Sequence, residues 1–185
     1  MDEPIGNAIG NELEVVEAID TLNGKGPGDF SELVLSLSAL MVSLGKGISI
    51  SDAEGLVKEN LYNGKAYQKF TQLVHKQGGR LYFHNNAKKM QINALTSGYL
   101  TKIDTDNLGE CARELGAGRL KKEDIIDNNV GFILHKKVGD FVKQGDTLLT
   151  LYYFKKDINI NEVLKCFHID SKYSKPKPLI YEVIK

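Results

Sequence analysis

The sequence has no charge of one sign to spare: 24 Lys and Arg stand against 24 Asp and Glu in 185 residues. That balance excludes the basic surplus by which nucleic-acid binders hold phosphate backbones, and it excludes an acidic tail. The basic residues gather only locally, at Lys121-Lys122 and His135-Lys136-Lys137, next to acids, and read as solvated loop charge. Cysteine is scarce. Cys111 and Cys166 sit far apart with no CxxC partner, which gives neither a disulfide framework nor a thiolate metal site. Both read as reduced thiols in the core. The four histidines, His75, His84, His135 and His168, share no metal-ligand spacing such as HxxxH. No apolar run reads as a membrane span, which needs about 20 residues. The start, Met1-Asp2-Glu3-Pro4, is acidic and lacks the apolar stretch of a signal peptide. These absences point to the cytoplasm and away from membranes and nucleic acid. Neither an internal repeat nor a low-complexity segment is visible.

What is present falls into two parts. Up to about Gly79 the chain reads as helices in series. Asn11 with Glu14 opens the first, Leu13, Val16 and Ile19 recur at helical spacing, and Gly24 follows its end. Asp29 with Glu32 opens the second, which carries Phe30, Leu33, Leu37, Leu40, Met41 and Leu44 and is expected to close at Gly45. Ser51 with Glu54 forms a capping box for the third, with Gly64 at its stop. The fourth spans about 66–77 and ends at Gly78-Gly79. The second helix is apolar around most of its circumference, and such a helix expects neighbours on most sides.

The later part changes character. Stretches 91–95, 98–103, 130–135 and 148–153 are β-branched or apolar runs bounded by turn residues, and 178–184 reads as a further strand. Short helices are expected over 108–115 and 161–169. The organisation is therefore α+β: a helical segment over 1–79, a linker over 80–89, and a β-rich domain with short helices over 90–185. The run Gly98-Tyr-Leu and Val138-Gly-Asp-Phe-Val-Lys-Gln-Gly-Asp146 resembles the turns of lipoyl- and biotinyl-type barrel-sandwich domains. A carrier or binding module is accordingly one alternative, but the lysine signature of a carrier is missing, and fold alone does not carry function.

Two longer stretches resemble one enzyme family. The first runs Leu115-Gly-Ala-Gly-Arg119, Lys121-Lys-Glu-Asp124, Ile126-Asp127, Val130-Gly131 and Leu134-His-Lys-Lys137. The second is Pro4-Ile-Gly-Asn-Ala-Ile-Gly-Asn-Glu-Leu-Glu-Val-Val-Glu17, followed by Gly24-Lys-Gly-Pro-Gly-Asp29. Both are similar to pyrimidine-nucleoside and thymidine phosphorylases, in their C-terminal part only. The resemblance implies phosphate-dependent cleavage of pyrimidine nucleosides to free base and pentose 1-phosphate. It also implies a parent homodimer and a monovalent-cation site, usually potassium. Carried over by position, this chain would give that site the backbone carbonyls of Ile5 and Ala8 and the carboxylate of Glu17. Carbonyl dipoles with one formal charge suit a large, weakly hydrated cation. The family's Lys-His-Ser phosphate motif is absent, and its glycine-rich phosphate loop and base-reading residues belong to the part preceding this resemblance. No catalytic residue is assigned here. The chain is expected to be inactive alone, and a split enzyme, with the N-terminal half as a separate partner, is the other alternative.

Overall fold

The computed structural model describes residues 3–83, 86–154 and 158–184. It divides into two compact units, Met1–Val15 with Asn85–Pro178, and Val16–His84 with Leu179–Lys185. The helical unit is thus inserted in the chain of the β-rich one, and the division falls inside helix α1 (Asn11–Leu22).

Helix α1 starts from Gly10. The Gly10 N–H donates to Glu14 Oε1 at 2.9 Å, and the Glu14 N–H donates to the Gly10 carbonyl. The Glu14 side chain thus satisfies an amide at the helix start, four residues back. Asn11, expected as the cap, instead gives its side-chain amide to the Ala117 carbonyl at 2.7 Å. Helix α2 (Gly28–Lys46) runs through Gly45 and stops at Gly47, whose φ of 65° makes the left-handed turn that ends a helix. Helix α3 (Ile50–Tyr62) is capped by Ser49, not Ser51. The Asp52 N–H donates to Ser49 Oγ at 3.1 Å, and that hydroxyl donates to the Asp52 carboxylate at 2.7 Å. Both serines have an acid three residues on, and the earlier one lengthens the helix by half a turn. Ser49→Ala is expected to cost about 1 kcal/mol and Ser51→Ala far less, read by urea unfolding of the two variants. Helix α4 (Lys65–Lys76) ends before Gly78, also left-handed.

Helix α2 packs on α3, and α3 on α4. Only Ala39 of α2 is buried, while Leu37, Met41 and Leu44 are 50%, 73% and 85% exposed. With 19 residues and a mean hydropathy of 1.3, α2 is long and apolar enough by composition to cross a membrane. This corrects the expectation that no segment comes near that length. The serines and glycine within it break the apolar run without lowering the average enough. Core helices of soluble proteins share these properties.

The β-rich unit holds two antiparallel sheets. Strands β1 (Ala8–Ile9), β2 (Lys88–Asn93), β4 (Gly131–Leu134) and β6 (Thr147–Tyr153) form one, in the order β1-β4-β6-β2. Strands β3 (Gly98–Ile103), β5 (Phe141–Val142) and β7 (Phe167–Asp170) form the other, in the order β5-β3-β7. No closed barrel is formed among the described residues. Helices α5 (Thr105–Ala112) and α6 (Ile160–Lys165) complete the unit, and a wide turn, Arg113–Ala117, follows α5. Phe132, Leu100, Ile103, Leu108, Val142, Leu149, Leu151 and Val163 are fully buried in one continuous core.

Alternation places this core. Leu149 and Leu151 of β6 lie against Leu134 and Phe132 of β4, and against Ile92 and Met90 of β2. The segment 161–169, expected as one helix, splits at Cys166 into α6 and β7, and Ile169 pairs with Leu100 across the ladder. The stretch 178–184 forms no strand.

Candidate functional site

The residues singled out at the start of the chain lie on and beside an edge strand. β1 pairs only with β4, with Ala8 opposite Ile133 and Ile9 opposite Phe132. The Leu134 N–H donates to the Asn7 carbonyl at 2.8 Å. In an antiparallel ladder, neighbours of such a bonded residue turn their amide and carbonyl the other way. The Ala8 carbonyl therefore points away from β4. Gly6, at φ 74°, breaks the extended run just before it.

Lys137 meets this segment. Its ammonium donates to the Pro4 carbonyl at 2.5 Å and to the Gly6 carbonyl at 2.6 Å. The next amide, Val138 N–H, donates to the Glu3 carboxylate at 2.8 Å. A charge read as solvated from sequence is thus fixed on backbone oxygens more than a hundred residues away. Its only sequence signal was its place in the Leu134-His-Lys-Lys137 motif. Ile5 lies between the two carbonyls that Lys137 holds. Glu17 belongs to the other unit, where its backbone carbonyl accepts the Thr21 hydroxyl at 2.8 Å.

The glycine-rich turn serves its own loop. The amides of Leu120 and Lys121 both donate to the Asp124 carboxylate, at 3.0 and 2.8 Å. The Asp127 N–H donates to the Gly116 carbonyl, and Arg113 reaches the Arg119 carbonyl. Lys136 lies 4.0 Å from the Asp146 carboxylate, so with Lys137 engaged neither lysine stands as the free hairpin-tip amine a carrier domain needs.

His75 is exposed on α4, and His135 Nε2 lies 2.7 Å from the Thr150 hydroxyl. His168 is on β7, and His84 lies outside the described residues. No three metal-ligating side chains come together among the described residues.

Cys111 and Cys166 are free and buried, with their thiols in hydrogen-bonding reach of each other. Burial, with the neighbouring thiol, pushes Cys166 up to about 12, and burial raises Cys111 too. Each raised group favours the folded state below the ordinary thiol pKa of 9.0, and that contribution is lost as pH climbs toward the folded value. Urea unfolding is expected to show stability falling from about pH 9 upward, with a shallower fall in Cys166→Ala.

Comparison with known proteins supplies what geometry alone does not. Residues 99–172 match the family described as "Pyrimidine nucleoside phosphorylase C-terminal domain". This chain corresponds to the C-terminal part of the pyrimidine-nucleoside phosphorylase family. A pyrimidine-nucleoside phosphorylase of Staphylococcus haemolyticus is 41% identical over 173 residues, covering 89% of this chain and 40% of the relative. One from Staphylococcus aureus is 41% identical over 167 residues, covering 86% of this chain and 39% of the relative. The chain thus spans about two-fifths of the length of these phosphorylases. The matched family region begins at Tyr99 in β3 and closes just beyond β7, so it contains β3 to β7 and the glycine-rich turn but neither β1 nor β2.

Proposed function

We propose that this chain supplies the C-terminal part of a pyrimidine-nucleoside phosphorylase and does not cleave nucleosides by itself. In the reaction a phosphate oxygen bonds to the sugar C1′ as the bond from C1′ to the base nitrogen breaks. Free base and pentose 1-phosphate leave. Catalysis is then mostly positioning and charge stabilisation. The identity of 41% along 89% of the chain carries this reading. The absence of the Lys-His-Ser phosphate motif from the sequence supports inactivity in isolation. Phosphorolysis of thymidine and uridine by the purified chain tests it.

The partner in this reading is the N-terminal half of a phosphorylase, joined or separate, in a cytoplasmic homodimer of the intact enzyme. Its two open sheets are the barrel-sandwich part of that enzyme. The apolar α2 surface is where the N-terminal half packs, because about three-fifths of the matched relative's length lies outside the part this chain covers. Replacing Met41 and Leu44 together by Lys is expected to change the chain's own stability by no more than about 0.5 kcal/mol, since both are exposed. The same change is expected to abolish capture of the N-terminal half in a pull-down.

A monovalent cation, potassium by family pattern, belongs to the same reading. The donor set suits it: neutral carbonyls at Ile5 and Ala8, with the Glu17 carboxylate as the formal charge. The segment already presents carbonyls to a positive group, since Lys137 sits on those of Pro4 and Gly6. Such an ion supplies fixed positive charge and holds backbone; the chain's residues here orient it and take no proton.

A further inference from the structure

We infer that Lys137 is the positioning residue of the Glu3–Ala8 segment and, through it, of the Ile5 and Ala8 carbonyls; the second half of this inference rests on the cation reading above. The segment is a short edge strand in which Pro4, Gly6 and Ala8 are buried and Glu3, Ile5 and Asn7 half-buried; beyond β1, no regular ladder or helix holds its backbone among the described residues. Three links tie it to one stretch of chain. Leu134 N–H binds the Asn7 carbonyl, Lys137 Nζ binds those of Pro4 and Gly6, and Val138 N–H binds the Glu3 carboxylate. The Lys137 link differs from the other two because it joins two carbonyls two residues apart. That constraint fixes the Pro4–Ile5 and Gly6–Asn7 peptide planes, on either side of the plane that carries the Ile5 carbonyl, with Gly6 in the left-handed conformation. The Pro4, Gly6 and Asn7 carbonyls are drawn toward β4 and the turn after it, while the ladder turns that of Ala8 the other way.

Glu3 and Lys137 also cross over. The acid binds the amide after the lysine, and the lysine binds the carbonyls after the acid. The pair forms a clasp between the chain start and the turn that follows β4. A compact ammonium fits between two carbonyls, whereas a guanidinium is wider and planar.

The test compares the purified wild-type chain with Lys137→Met and Lys137→Arg by amide hydrogen exchange and by thallium(I) binding followed with ²⁰⁵Tl NMR. In Lys137→Met, exchange of the Leu134 and Val138 amides is expected to rise about tenfold or more while Leu149 stays protected. Lys137→Arg is expected to fall between the two. Unchanged exchange at Leu134 and Val138 in Lys137→Met would overturn the inference whatever the cation does. If Lys137→Met does not fold, Lys137→Arg decides, and exchange equal to the wild type's in that variant overturns the need for a compact ammonium. Thallium binding by the wild type that weakens roughly tenfold in Lys137→Met supports the positioning of the Ile5 and Ala8 carbonyls. Thallium binding of equal strength in both overturns that positioning. Exchange that rises in Lys137→Met, with a wild type that shows no thallium response, keeps the clasp and sinks the cation reading alone.

Discussion

Purified chain given thymidine and inorganic phosphate is expected to release no free base above the enzyme-free blank. Adding the separately expressed N-terminal part of a relative, the portion this chain does not cover, is expected to restore turnover. The expected effect is large because the family's phosphate- and base-holding groups belong to that portion, and enzymes commonly gain about a millionfold or more from such machinery. In the β-rich unit the amides of Leu120 and Lys121 are engaged with Asp124, and Lys137 with backbone carbonyls. Base release followed at 290 nm, or by chromatography, reads the result. Turnover by the chain alone would sink the reading of an incomplete enzyme. Silence of the mixture, with both polypeptides folded and bound to each other, would sink the phosphorylase reading itself.

Gly131→Ala is expected to destabilise the β-rich unit by about 3 kcal/mol, the second large effect. Gly131 opens β4 at φ 149°, and a Cβ there would stand 2.1 Å from the Ile9 carbonyl oxygen. Gly10 faces it at φ 134°, where a Cβ would stand 2.4 Å from the Val130 carbonyl oxygen. Both obstacles are backbone, so no side chain can swing aside. The two glycines let β1 cross close to the start of β4, and an alanine must either part the strands or strain both. Urea unfolding followed by circular dichroism measures the loss. Gly145→Ala is a useful control: its φ of 93° carries the conformational penalty, but open space surrounds its Cβ position. A Gly131→Ala loss no larger than that of the control would show that the crossing tolerates a methyl group.

The sequence was most legible where one local signal governs the chain. Gly24 and Gly64 end helices as expected, and 98–103 forms β3 with the foreseen limits. Ambiguity arose where two signals compete. Ser49 and Ser51 both offer a cap, and the chain takes the one that adds helix. Gly45 and Gly47 both offer a stop, and only the left-handed one acts. The split at Cys166 was hidden because apolar spacing suits both a helix and a strand there, and the pairing of Ile169 with Leu100 decides it. β1 and β5 have two residues each, too short for any periodicity. The candidate cation residues came from family pattern alone. Lys137 was out of reach for a different reason: a lysine's neighbour in space cannot be read from neighbours in sequence that look like any other charged loop.

The edge strand β1 also has a consequence for how the molecule is made. Ile9 is synthesised long before Phe132, with helices α1 to α4 emerging between them. During translation the first strand must wait, unpaired, while α2 to α4 form and only then meet its partner across a long loop. Closing that loop costs entropy that local helices never face. Refolding is therefore expected to show an early helical phase and a slower phase in which the chain start takes its place. A tag or fusion attached ahead of Glu3 weighs on the slower phase alone.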